Sequence, residues 1–337
     1  MGLKAKIILL LLIKNLAFAS TLTEKPILTV YGHNSLVKGL FNQKTEFKKK
    51  FEEQCLCTLN LLGLDSSGVM LSRVSLEAEN TKADVVIGFD MNQLGQAEAT
   101  GLFQKFDIVD IPNFNIPIKW DNKNFLPYAY GYFSFIYNKT KLKKVPKSFY
   151  DLIYGDNDIK IILQDPRSSS VGFGMVVWLN LIFGDETEQA LKKMRSKILT
   201  ITKSWGEAYS LFLKGEADMV ATYTTSPAYH MINENNYSYE SVTFSEGHYL
   251  QIEVIGKIAK TKHPELADMF IKFILSEKFQ RHIPLNDFIY PVIDLKKEMP
   301  EEYNYIKKPE KILFIDYQEI NLKKKKWFKE WLKAIAY

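Results

Sequence analysis

Short apolar β-branched runs alternate with helical segments along most of this chain, and that alternation restricts its fold more than any other feature. Residues 27–31 (ILTVY) read as a buried strand, 46–53 as a charged helix with Phe47 and Phe51 four apart, and 59–62 as a second strand. A helix is expected around 69–79, then another buried strand over 83–88. Apolar strands separated by helices predict a parallel α/β sheet covered on both faces. Residues 125–137, FLPYAYGYFSFIY, break the pattern. This long, aromatic, alternating stretch predicts an extended strand crossing between two lobes. The α/β pattern then resumes, with strands over 159–163, 200–202 and 219–223 and helices over 174–183 and 205–214. Residues 249–258 predict the return crossing. Residues 264–283 predict one helix whose stripe of Leu266, Met269, Phe270, Phe273 and Ile274 is core. In 323–337, four lysines precede Trp327, Phe328, Trp331, Leu332 and Ile335 on one helical face. A docked C-terminal helix with a solvated lysine edge is expected there, in preference to a membrane-surface helix.

With 337 residues, 46% hydrophobic and 25% charged, the chain has a globular composition and length for two domains. Its first residues, MGLKAKIILLLLIKNLAFAS, carry a basic start, an apolar run too short to span a bilayer, and a small-x-small ending at Ala19. They predict a cleaved secretory leader over 1–19. Loss of Lys4, Lys6 and Lys14, with no acid, takes the formal charge from +5 to +2. So small a surplus argues against binding nucleic acid through a basic surface. No cysteine follows Ala19, so a lipid anchor is not expected there. Cys55 and Cys57 stand one residue apart and are poor zinc ligands by themselves. A local disulfide in an oxidising compartment and two small half-buried residues are both compatible with that spacing.

Zinc-protease, P-loop, nucleophile-elbow and dinucleotide fingerprints are all absent from the sequence. His33, His230, His248, His263 and His282 are scattered, and no nucleophile–base–orienter set assembles. Three segments do suggest a binding site. At 165–172, DPRSSSVG, a strand ends and a helix opens. Serine hydroxyls and free N–H groups there suit a phosphate or carboxylate, or serve as an ordinary N-cap. Trp205 opens a helix directly after a strand, at the sheet end where α/β proteins bind ligands; a core tryptophan is the plainer alternative. Residues 223–229, YTTSPAY, also follow a strand and offer aromatic faces that suit a cation or a flat heteroaromatic ring. Together they predict a cleft with aromatic walls and one anion pocket.

These residues carry a family resemblance across nearly all of the predicted mature chain. LTVYGHNS (28–35), KADVVIGFD (82–90), QDPRSSSVGFG (164–174), TKSWGEAYSLFLKGEAD (202–218), YTTSPAYH (223–230), FSEGHYLQIEV (244–254) and IPLNDFIYPV (283–292) resemble the periplasmic thiamine-binding proteins of bacterial thiamine import systems. The resemblance implies a type II periplasmic binding protein: two α/β lobes joined by crossing strands, with the ligand cleft between them. Its lobes are expected over 20–126 plus about 250–296, and over 127–249 plus about 297–337. It further implies thiamine, thiamine monophosphate and thiamine pyrophosphate as ligands, an inner-membrane ABC permease with its ATPase as partner, a monomer, no cofactor and no catalysis.

By the same resemblance Trp205, Tyr223 and Tyr229 match aromatic ligand contacts and Ser169 the phosphate-side serine, with Asp165, Ser168 and Ser170 as neighbours. The chain departs from its relatives where Phe288 replaces a stacking tryptophan, His33 a tyrosine and Ser66 an acid. Leu40-Phe41 also lacks a tryptophan that relatives place near the cleft. His33 is expected to donate to a phosphate, more strongly when protonated near its ordinary pKa of ~6.5. The competing readings are a receptor of the same fold for ferric iron or a polyamine, and a secreted thiamine-degrading enzyme with a cysteine nucleophile.

Overall fold

The computed structural model describes residues 25–41, 46–106 and 111–335, so the expected leader lies outside the described residues. The expected α/β alternation is present. Strands β1 (Ile27–His33), β2 (Thr58–Leu64) and β3 (Val85–Asp90) run parallel, with β1 central. Strands β5 (Ile161–Gln164), β6 (Ile198–Thr202) and β7 (Met219–Tyr223) form a second parallel set, with β5 central. Two long strands join the sets: β4 (Phe125–Asn138) and β9 (His248–Lys257), antiparallel to each other. The sheet order is β2-β1-β3-β9-β4-β7-β5-β6. β8 (Tyr239–Ser241) pairs with the far end of β4.

Register explains how this arrangement makes a cleft. Asp90, the last residue of β3, pairs with Glu253 of β9, and Glu253 pairs with Ala129 of β4. Tyr223, the last residue of β7, pairs with Phe133 of β4. The carboxyl ends of both parallel sets therefore meet over the middle of the β4–β9 ladder. In open α/β sheets that edge is where ligands bind.

Among the described residues, three large hydrophobic clusters and a smaller one around Ile136, Ile162 and Phe212 hold the halves. One gathers Phe133, Phe135, Phe149, Trp178 and Trp327, and a second Phe47, Phe51, Phe270 and Phe279. A third contains residues of both halves, including Phe89, Tyr132, Met231 and Tyr290. Phe41 is buried against Phe270 and Phe279, so it belongs to the second core.

Two helix expectations are corrected. Residues 264–283 form separate helices, Pro264–Leu275 and Glu277–Gln280, followed by Ile283–Asn286. Ser276 breaks the first in an extended conformation and caps the next, its Oγ accepting from the Phe279 N–H. The C-terminal helix starts earlier than expected, at Tyr317–Ile335, and buries Ile320, Trp327, Trp331 and Ala334. Its lysine edge is not wholly solvated, because Lys324 is half-buried, and Leu332 of the expected apolar face is exposed. No described helix is long and apolar enough to cross a membrane. Cys55 and Cys57 form a disulfide.

Candidate functional site

Tyr223 closes β7 and packs on Phe133, with ring centroids 5.3 Å apart. Its hydroxyl donates to Gln251 Oε1 at 3.2 Å. Gln251 in turn approaches Glu253 Oε1 at 3.4 Å, and the Tyr128 hydroxyl donates to Glu253 Oε2. Gln251 and Glu253 share one face of β9 because strand side chains alternate. The cleft floor is thus a polar line of Tyr223, Gln251 and Glu253 set among aromatic rings.

Trp205 opens the helix Trp205–Leu213 behind the N-cap Ser204. At 40% exposure it is not a core tryptophan. Its indole N–H donates to Thr222 Oγ1 at 2.7 Å, and its ring lies on Tyr209 at 4.6 Å. Tyr229, also 40% exposed, sits in the first turn of the helix Pro227–Glu234. It meets Phe288 edge to face at 5.2 Å, across the cleft from the opposite half. Phe288 has a left-handed backbone, φ +54°, a conformation that costs an aromatic residue about 1–3 kcal/mol and persists where the surroundings enforce it.

The serines divide by what their hydroxyls already do. Ser169 is the N-cap of the helix Ser170–Phe183, accepting from the Gly172 N–H at 3.3 Å. That contact uses a lone pair and leaves its O–H proton available to an anion. Ser170 supplies one of the first N–H groups of that helix, which have no intrahelical partner. Ser168 donates to the Lys203 carbonyl at 2.7 Å, so its proton is committed. The neighbouring Asp165 is ion-paired to Arg167, whose guanidinium holds its carboxyl below the usual range. Ser66 caps the helix Ser67–Glu77 through the Val69 N–H.

His33 ends β1 against Gly88, where a Cβ would stand 2.5 Å from the imidazole Cδ2 and φ is +100°. Only glycine fits that close approach. Burial pushes the imidazole down to about 4, against a backbone hydrogen bond at Gly88. That shift runs against a histidine protonated near its ordinary pKa and leaves His33 to act as a neutral N–H donor.

The largest electrostatic feature escaped sequence reasoning. Glu253 and Asp287 are half-buried and neither forms an ion pair with a described residue. Burial raises both carboxyls, and the charge of Asp287 raises Glu253 further, against the hydrogen bonds from Tyr128 and Gln251. Both shifts favour the protonated forms. Asp90 adds to the field; burial pushes it up to about 6, opposed by the Asn92 N–H and by the Lys324 ammonium. A cleft with uncompensated carboxyls and aromatic walls favours a flat cation.

The sequence matches the profile of bacterial extracellular solute-binding proteins over residues 80–323, and the chain belongs to that family. It is 42% identical to the thiamine-binding periplasmic protein of Salmonella typhimurium over 334 residues, 99% of both chains. A solved periplasmic thiamin-binding protein superposes with a TM-score of 0.87 at 42% identity, covering 92% of this chain and 96% of that one. Iron-bound HitA from Pseudomonas aeruginosa shares the fold at 17% identity, with a TM-score of 0.75 and coverage of 92% and 99%.

Proposed function

We propose that this chain is a periplasmic receptor for thiamine and its phosphate esters that delivers them to an inner-membrane ABC permease. The observation that carries the reading is the Glu253–Asp287 pair, free of any ion-pairing cation among the described residues, on the floor of an aromatic cleft. Thiamine combines a thiazolium cation with a flat aminopyrimidine. The cation relieves the repulsion and desolvation that raise both carboxyls. Tyr223, Tyr229, Phe288 and Trp205 supply faces against which a desolvated cation gains ~2 kcal/mol. Phe288 keeps a π-face where relatives stack a tryptophan, with a weaker attraction for the cation. Ser169 and the N–H groups at the start of Ser170–Phe183 take the phosphate, where the helix dipole favours negative charge.

The receptor acts by closure: ligand bridges both halves and shifts an open–closed equilibrium. It is exported by its leader, works as a monomer and performs no chemistry. The disulfide supports the last point, since Cys55 and Cys57 hold each other and offer no thiolate nucleophile. Titration calorimetry with thiamine, thiamine monophosphate and thiamine pyrophosphate tests the reading. One-site binding of all three supports it. Binding of ferric iron or a polyamine, with no heat from any thiamine form, overturns it.

A further inference from the structure

The C-terminal helix Tyr317–Ile335 touches both halves of the molecule. Trp327 and Trp331 are buried in the core of the β5–β7 half, and Phe328 stacks on Phe173 at 5.1 Å. Lys326 and Lys333 pair with Asp185 and Glu188 of the same half. The opposite edge of the helix meets the segment that follows Asp90, the helix Leu94–Ala99 of the β1–β3 half. Tyr317 donates to Glu98 Oε1 at 3.3 Å and Lys324 to Gln96 Oε1 at 2.7 Å. Gly95 lies so close that a Cβ there would stand 2.7 Å from Asn321 Cβ. Lys324 is the residue that touches both sides, because its ammonium also lies 4.7 Å from the Phe173 ring centroid. Across the cleft, Tyr229 and Phe288 are in contact in the same structure.

We propose that Lys324, with the Gly95–Asn321 close approach, is a latch that holds the two halves in the closed arrangement and sets how often the empty receptor is closed. Lys324 is a positioning residue whose ammonium also opposes the charge of Asp90, so the Gly95–Asn321 contact is the part of the latch that carries no charge. A receptor that is competent for a smaller fraction of the time binds every ligand more weakly by the same factor.

Two variants break the latch in different ways. Lys324→Met removes the bond to Gln96 and keeps an aliphatic stem over Phe173. Gly95→Ala wedges Asn321 away while improving helix propensity. Spin labels on Leu76→Cys and Leu199→Cys, exposed positions on the two halves, report the distance between them. Cys55 and Cys57 are occupied by their disulfide, so only the introduced thiols label. Both variants should add a second distance population to the empty protein. Gly95→Ala, which changes no charge, should also raise the Kd for thiamine and for thiamine pyrophosphate by the same factor, about 3–10-fold. Unchanged distances in both variants overturn the latch. So does a Kd change in Gly95→Ala that differs between the two ligands, since the shift would then not come from the closure equilibrium. The affinity measurement rests on the thiamine-receptor reading. The distances do not, and they decide the latch even if thiamine fails to bind.

Discussion

In the proposed receptor Tyr223 would serve two kinds of recognition, because its ring packs on Phe133 and its hydroxyl leads through Gln251 to Glu253. Replacing Tyr223 or Trp205 by alanine should weaken thiamine binding by ~1–3 kcal/mol, through lost stacking and cation–π contact. Wild-type affinity in both variants by calorimetry contradicts their placement. Glu253→Gln keeps an acceptor for the Tyr128 hydroxyl and removes the acid. It should cost about tenfold in thiamine affinity, ~1.4 kcal/mol. A Kd equal to wild type would show that the acid pair does not face the cation. The positions of Trp205 and Ser169 just after apolar strands, and of Tyr223 at the end of one, were legible in sequence, while their ligand roles came from the family resemblance. Glu253 and Asp287 were not. Each is a lone acid in an apolar stretch, and only the pairing of β9 with its neighbours and the return of the chain after Ile283–Asn286 bring them together. The lowered pKa of His33 was equally hidden, since it comes from burial against a glycine of another strand.

Among the elements, the helix Ser170–Phe183 carries the clearest division of labour. Ser169 holds its first turn, and in the proposed receptor its free O–H proton would go to the phosphate. Ser169→Ala should lower thermal stability by about 0.5–2 kcal/mol through the lost cap. It should weaken the phosphate esters more than free thiamine. Equal losses for all three ligands would contradict the phosphate role, leaving only the cap. The same step from sequence to element fails at Ser276. Its neighbours continue an apolar stripe at helical spacing, so periodicity alone carries one helix through a serine that the fold uses as a break and a cap. The C-terminal helix errs the other way: its core face was legible, but the half-burial of Lys324 depends on a helix of the other half. Strand identities survived because apolar β-branched runs between helices admit few alternatives.

At the scale of the whole molecule, the acid pair links folding, ligand and pH. Both carboxyls have folded pKa values above their unfolded ones, so the native state binds more protons than the unfolded state from the ordinary carboxylate range, ~4, up to neutral pH. Their contribution to stability is present at acid pH and falls as pH rises through that window. A bound cation reverses the cost by favouring the charged forms. Thermal melts should therefore show a larger thiamine-induced rise in Tm at pH 8 than at pH 5. An equal rise at both would contradict the linkage. The proposed closure would give this local chemistry its reach, since β4 and β9 join the two parallel sets and the ends of both sets converge on them. The most direct measurement is calorimetric titration of thiamine into the mature protein at pH 7.5, repeated in two buffers of different ionisation heat. One site per chain, with heats that differ between the buffers in the sense of a proton released on binding, is the predicted result. No binding heat in either buffer contradicts the receptor, and buffer-independent heats contradict the acid pair as its cation site.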